Sequence, residues 1–179
     1  DAADEPRRFL LSFGGAGAQL DLFKSIIEYL APFVKLNQAV LLVNLGDHRH
    51  HLEPILKQLS EYKELVKTHY TWESTVELVE SIRKGSSSGI NIFLYEDMLH
   101  AVYATNYLMR VSDVLLTKPS ELAFYPVPKI LIRRVGAHEV GGAIRCSELG
   151  EGTTETTTIA QTINAINLFL SEKDLITSF

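Results

Sequence analysis

The stretch FLLSFGGAGAQLDLFKSIIEYL, Phe9 to Leu30, decides the fold. It opens on an apolar run with the composition of a buried strand, passes through a turn of glycine and alanine, and from Gln19 onward repeats its apolar residues at helical spacing. Strand, small-residue turn and amphipathic helix in that order make the first half of a β-α-β unit. Outward from this unit the period keeps switching between two and about 3.6. The pattern predicts strands at Phe9–Phe13, Ala39–Leu45, Leu65–His69, Ile90–Tyr95, Asp113–Thr117 and Lys129–Arg133. Helices are predicted at Gln19–Phe33, His51–Leu59, Ser74–Lys84, Met98–Val111, His138–Leu149 and Thr156–Leu170. AVLLVNL and DVLLT are almost unbroken apolar runs, the pattern of parallel strands covered by helices on both faces. The expectation is an α/β, three-layer Rossmann-like domain with a six-stranded, mostly parallel sheet flanked by helices, spanning 1–179 as a single unit. GSSSG, Gly85–Gly89, suits a flexible connection, and GEGTTETTT, Gly150–Thr158, reads as a polar turn into the last helix.

Composition narrows the function classes. With 179 residues, 46% hydrophobic and 22% charged, the chain has the make-up of an ordinary globular domain with a core. Seventeen basic against 22 acidic residues leave a net charge of −5, which gives no electrostatic footprint for nucleic acid or an anionic membrane. An anionic ligand would have to be held by local features. The single cysteine, Cys146, excludes an internal disulfide, has no base beside it in sequence and reads as a core thiol in a reducing, cytoplasmic compartment. No apolar run has the length of a membrane span. A start at Asp1 rather than Met leads us to expect a processed chain or a piece of a longer one.

Open sheets of this class bind ligands beyond the carboxyl ends of their strands, so the segments after each strand carry the functional reading. In GGAGAQ, Gly14, Gly15 and Gly17 allow positive φ and close approach, and the helix behind them offers free N–H groups to a phosphate. G-G-x-G is neither the G-x-G-x-x-G fingerprint nor a P-loop, and a tight structural corner accounts for it equally. TKPSEL places Lys118, a mobile cation for a phosphate, before Pro119, Ser120 and Glu121 at a helix start; a helix cap with a solvated lysine is the plainer account. RRVGAHE gathers Arg133, Arg134, Gly136, His138 and Glu139 at one strand end, a density that favours a site, with Glu139 able to accept from sugar hydroxyls or simply to cap. YEDM, Tyr95, Glu96, Asp97 and Met98, caps the next helix through Asp97 and offers backbone groups to the edge of a base. Trp72 supports the same rim or is a partly buried aromatic. HRHH, His48 to His51, has no cysteine and only Asp47 and Glu53 nearby, so it reads as a surface turn and no metal is assigned.

The order of these motifs resembles the C-terminal, donor-nucleotide-binding half of GT-B fold glycosyltransferases, in the branch of the peptidoglycan N-acetylglucosaminyltransferase and the plant galactolipid synthases. LLSFGGAGAQ is similar to the glycine-rich first turn, NIFLYEDM to the base-binding turn, SDVLLTKP to the diphosphate strand, and Gly136, Glu139, Gly142 and Ala143 to the closing G-x-x-E-x-x-N-A motif. The resemblance implies a UDP-sugar-type donor as substrate, with no separate cofactor. Gly14, Gly15, Gly17, Lys118, Ser120 and Glu121 would lie at the diphosphate, Tyr95 to Met98 at the base, and Gly136, His138 and Glu139 at the sugar. It implies too that the acceptor and the catalytic base belong to an N-terminal acceptor domain this chain has no room for. Two alternatives stand beside it. One is a nucleotide-sugar 2-epimerase relative using His138 and Glu139 as acid and base. The other is a noncatalytic scaffold, suggested by the short PSELAFYPV segment and by Gly142 in place of the motif's asparagine.

Overall fold

The structure is a computed structural model that describes residues 5–14, 19–119, 126–134, 136–150 and 152–172. Six strands form one sheet in the order β3-β4-β2-β1-β5-β6. They are β1 (Arg7–Ser12), β2 (Ala39–Asn44), β3 (Val66–His69), β4 (Ile90–Phe93), β5 (Val114–Thr117) and β6 (Lys129–Leu131). Every neighbouring pair is parallel, so the sheet is wholly rather than mostly parallel. Each predicted strand exists. Most end one or two residues early, where the chain leaves the ladder to enter the crossover turn.

Six helices cover the sheet: α1 (Leu20–Lys35), α2 (Leu52–Gln58), α3 (Trp72–Arg83), α4 (Met98–Met109), α5 (Val140–Glu148) and α6 (Ile159–Ser171). On one face Phe23, Ile26, Ile27 and Leu30 of α1, Ile55 of α2 and Ile166 of α6 pack on Phe9, Leu11, Leu41, Val43, Val114 and Leu116. On the other, Val79 and Ile82 of α3 and Ala104 and Leu108 of α4 pack on Leu10, Val40, Leu42 and Leu115. Residues of opposite parity along β1, β2 and β5 thus face opposite layers, and both sets are buried, which is why these strands read as unbroken apolar runs. Each large side chain so buried contributes about 1.5–3 kcal/mol.

Two features differ from the sequence expectation. Ser60–Leu65 forms a 3-10 segment that no periodicity announced. The polar stretch after α5 is more than a turn, because Gly152 and Thr156 bridge Lys129 and Ile132 in parallel and Thr153 and Thr156 donate their amides to Lys129 and Leu131 at 2.8 Å. The outer edge of β6 is thereby covered, which removes an exposed row of backbone donors and acceptors.

The chain runs from β1 to β2, out to edge strand β3, back to β4, and then across to β5 and β6 on the far side of β1. The reversal falls between β1 and β5. At their amino ends these two strands are clamped by Arg8, whose guanidinium meets the Asp113 carboxylate at 2.7 and 3.1 Å while its amide donates to the same group at 2.8 Å. The carboxyl ends of the strands all point to one rim.

Candidate functional site

At the β3–β4 end of the rim lies a pocket of about 500 Å³ lined by Arg49, Tyr70 to Glu73, Leu94 to Asp97 and His100. Its walls are fixed from beneath. Tyr95 is buried, its amide donates to the Gly46 carbonyl at 2.8 Å, and its hydroxyl shares a 2.6 Å bond with Thr75. Burial pushes the Tyr95 phenol above its ordinary range, so it is a neutral wall. The Trp72 indole leans on Tyr107 with ring centroids 5.4 Å apart. Under this pocket His69 is buried, stacked on Phe93 and bonded through Nε2 to the Asn91 Oδ1 at 3.2 Å; burial lowers its pKa.

Two helices begin at the pocket. Thr71 caps α3 by accepting the Ser74 amide at 3.2 Å, and Asp97 caps α4 by accepting the His100 amide at 3.0 Å. Asp97 also bonds the His100 ring, and both His100 contacts, the amide first, hold its carboxyl below the ordinary carboxylate range. Arg49 reaches across to Glu96 at 3.0 Å, in a pair that is largely solvated. Met98, grouped with the base turn by sequence, starts α4 with its side chain 59% exposed and outside the pocket wall.

The middle of the rim is the glycine turn. Gly14 has φ of 64°, a left-handed conformation that glycine adopts without strain, and its carbonyl accepts from the His48 Nε2 at 3.0 Å. The first histidine of HRHH is therefore a brace between the β1 and β2 turns, while Arg49 becomes a wall of the pocket. Among the described residues no group of three or more His, Cys, Asp or Glu is placed to hold a metal. Gly15, Gly17, Ser120 and Glu121 lie outside the described residues, as does the side chain of His138.

At the β5–β6 end the arrangement departs most from the residue-by-residue reading. Lys118 was expected as a mobile or solvated cation; it is buried, with Nζ 3.8 Å from the Glu139 carboxylate, itself buried. Glu139 also accepts the Gly136 amide at 3.4 Å. One residue expected at the diphosphate, Lys118, and one expected at the sugar, Glu139, thus form an internal ion pair joining the end of β5 to the 3-10 turn Ala137–Glu139 before α5. In front of it a second pocket of about 380 Å³ is lined by Arg133, Arg134, Gly136, Ala137, Val140, Glu155 and Thr157. Gln19, at the start of α1, donates to the Arg133 carbonyl and ties this pocket back to the glycine turn. Arg134 is answered by Glu155 at 3.4 Å, whereas the exposed Arg133 guanidinium has no ion pair among the described residues.

A family model for a domain of unknown function, DUF6938, matches residues 1–179. The chain belongs to the DUF6938 family. No curated protein and no solved structure gives a significant match. In this DUF6938 domain the strand ends bring Tyr95 to Asp97, Gly14 and Gly136 onto the same rim, and they draw Lys118 and Glu139 inside it. Sequence reasoning did not single out Arg49, Tyr70, Thr71 and Glu73 as pocket residues, although YTWES follows a strand and the strand-end rule selects it. Glu155 and Thr157 escaped because their segment read as a featureless polar turn. Among the described residues of the DUF6938 domain, no helix is long and apolar enough to cross a membrane.

Proposed function

We propose that the rim binds a nucleoside-diphosphate sugar, as the donor-binding domain of a GT-B-like glycosyltransferase. One observation carries this: an aromatic-walled pocket and an arginine-lined pocket open on the same edge of an all-parallel sheet, at the ends of β4 and β6. Four strand spacings separate those ends, about 19 Å, a span comparable to that of an extended nucleoside-diphosphate sugar. The base enters at Tyr95 to Asp97. The diphosphate runs along the rim between the pockets and its sugar-bearing end reaches Arg133, Arg134 and the amides that begin the α5 turn, where cations and helix-end N–H groups stabilise charge growing on a leaving diphosphate. Lys118 contributes its field from behind, fixed by Glu139, rather than direct contact. The acceptor and its base come from a partner domain. Calorimetry with UDP, GDP and their sugars tests the proposal: saturable binding that Arg133→Ala/Arg134→Ala weakens is expected, and silence toward all of them removes it.

The buried Lys118–Glu139 pair favours a second reading, a scaffold that keeps the fold and has closed its diphosphate site with its own carboxylate. Under it the arginine substitutions alter no ligand binding and the rim makes contacts only with protein. The epimerase alternative draws no support from Glu139, whose carboxylate is turned inward against Lys118 instead of toward a substrate.

A further inference from the structure

Resting on the nucleotide reading of the rim, we propose that the pocket at the ends of β3 and β4 selects guanine over uracil, and that Glu73 is the residue that reads the base. The charged side chains of the pocket are mostly of one sign. Three carboxylates, Glu73, Glu96 and Asp97, line it against a single guanidinium, Arg49. That guanidinium already meets Glu96 at 3.0 Å. The Asp97 oxygens are taken by the amide of His100, at 3.0 Å, and by its ring. Glu73 is different. It lies in the first turn of α3, is exposed, and has no hydrogen bond or ion pair among the described residues. Nor is it needed as the cap, since Thr71 already takes the Ser74 amide. The spare charged group of the wall is therefore an acceptor, a carboxylate at the amino end of a helix.

A carboxylate discriminates sharply among bases. Guanine presents N1–H and its 2-amino group side by side, two donors that match the two oxygens of one carboxylate. Uracil presents one N3–H between two carbonyl oxygens, and both oxygens are repelled by a carboxylate. Adenine offers an amino group beside a ring-nitrogen acceptor, so one of its two edge contacts is unfavourable. A volume of about 500 Å³ admits a bicyclic base against Trp72 and Tyr70.

The test is calorimetry with GDP, IDP, UDP and pyrophosphate on the wild-type chain and on Glu73→Gln. GDP is expected to bind about tenfold or more tightly than UDP. IDP, which lacks the 2-amino group, falls between them. Glu73→Gln collapses the GDP preference and leaves pyrophosphate binding and thermal unfolding unchanged, because the side chain makes no hydrogen bond or ion pair among the described residues. UDP binding as tightly as GDP, or a preference that survives Glu73→Gln, overturns the base assignment and leaves the nucleotide reading standing. Binding of pyrophosphate with no discrimination among the three nucleotides does the same. Silence toward every nucleotide overturns both.

Discussion

The two ends of the rim each carry an ion pair, and the pairs differ in everything except chemistry. Arg49 and Glu96 have side chains 65% and 86% exposed, whereas those of Lys118 and Glu139 are 4% and 3% exposed. An exposed pair is screened by water and can exchange its partner for a ligand at little cost. A buried pair has surrendered its hydration and depends on its partner. The lesson concerns where ligand contacts are to be sought. Residue type alone marks Lys118 as the phosphate cation, but burial makes it a joint between β5 and the α5 turn, and under the proposed function the contact falls to Arg133 and Arg134.

The largest expected effect breaks the buried joint. Lys118→Met or Glu139→Leu alone takes an oppositely charged partner from a buried charge and is expected to cost about 3–5 kcal/mol, read by urea unfolding. The double variant Lys118→Met/Glu139→Leu should regain most of that loss. Single variants with stability within about 0.5 kcal/mol of wild type would show the pair to be as dispensable as a surface contact. On the open side of the rim the matching structural element is smaller. Thr71→Ala removes one helix cap and is expected to cost about 1 kcal/mol. A loss as large as that of the joint would mean that the pocket wall, too, is part of the core.

His69 sharpens the comparison through pH. Its imidazole is kept neutral by burial, so its folded pKa lies below the unfolded value of about 6.5. Between those two values the unfolded chain binds a proton that the folded chain refuses. This contribution to stability is therefore present above about pH 6.5 and lost as pH falls below it. Stability followed between pH 7.5 and 5 should decline more gently in His69→Phe than in wild type; equal slopes would mean that the folded ring takes up its proton as readily as the unfolded one.

The fold was legible because its cause is written locally. Strands buried on both faces are apolar along nearly their whole length, as in β2 before Asn44, and the helices must alternate with them, as α1 does after β1. Strand order is not written that way. Nothing in VKTH says that β3 sits at the edge and β4 inside it, since that depends on which crossover packs over which neighbour. The site was legible only in part, for a related reason. The strand-end rule locates Tyr95 to Asp97 and Arg133 to Gly136 from one segment at a time. Whether Lys118 faces water or Glu139 depends on two segments more than twenty residues apart meeting behind the rim, and neither sequence encodes the meeting by itself. Short strand ends and the edge-covering segment at Gly152–Thr156 belong to the same class, settled by pairing partners and not by composition.

The smallest expected effect on stability is at Arg49 and Glu96. Their pair lies in the wall of the pocket at the β3–β4 end between solvated side chains, so Arg49→Ala or Glu96→Ala should change unfolding stability by about 0.5 kcal/mol or less. The consequence for binding differs between the two. Removing Arg49 takes away the only guanidinium among the pocket residues and leaves its carboxylates unopposed, which disfavours a nucleotide's phosphates and favours a donor-rich base edge. Removing Glu96 frees Arg49 to meet the phosphates or a carbonyl of the base, which should bring UDP closer to GDP. Arg49→Ala should therefore widen the GDP-to-UDP ratio and Glu96→Ala narrow it, with only that small change in the unfolding curve of either. Shifts in the same direction would mean that the pair acts only by shaping the wall, and the electrostatic difference between the two ends of the rim would then have no part in selecting the ligand.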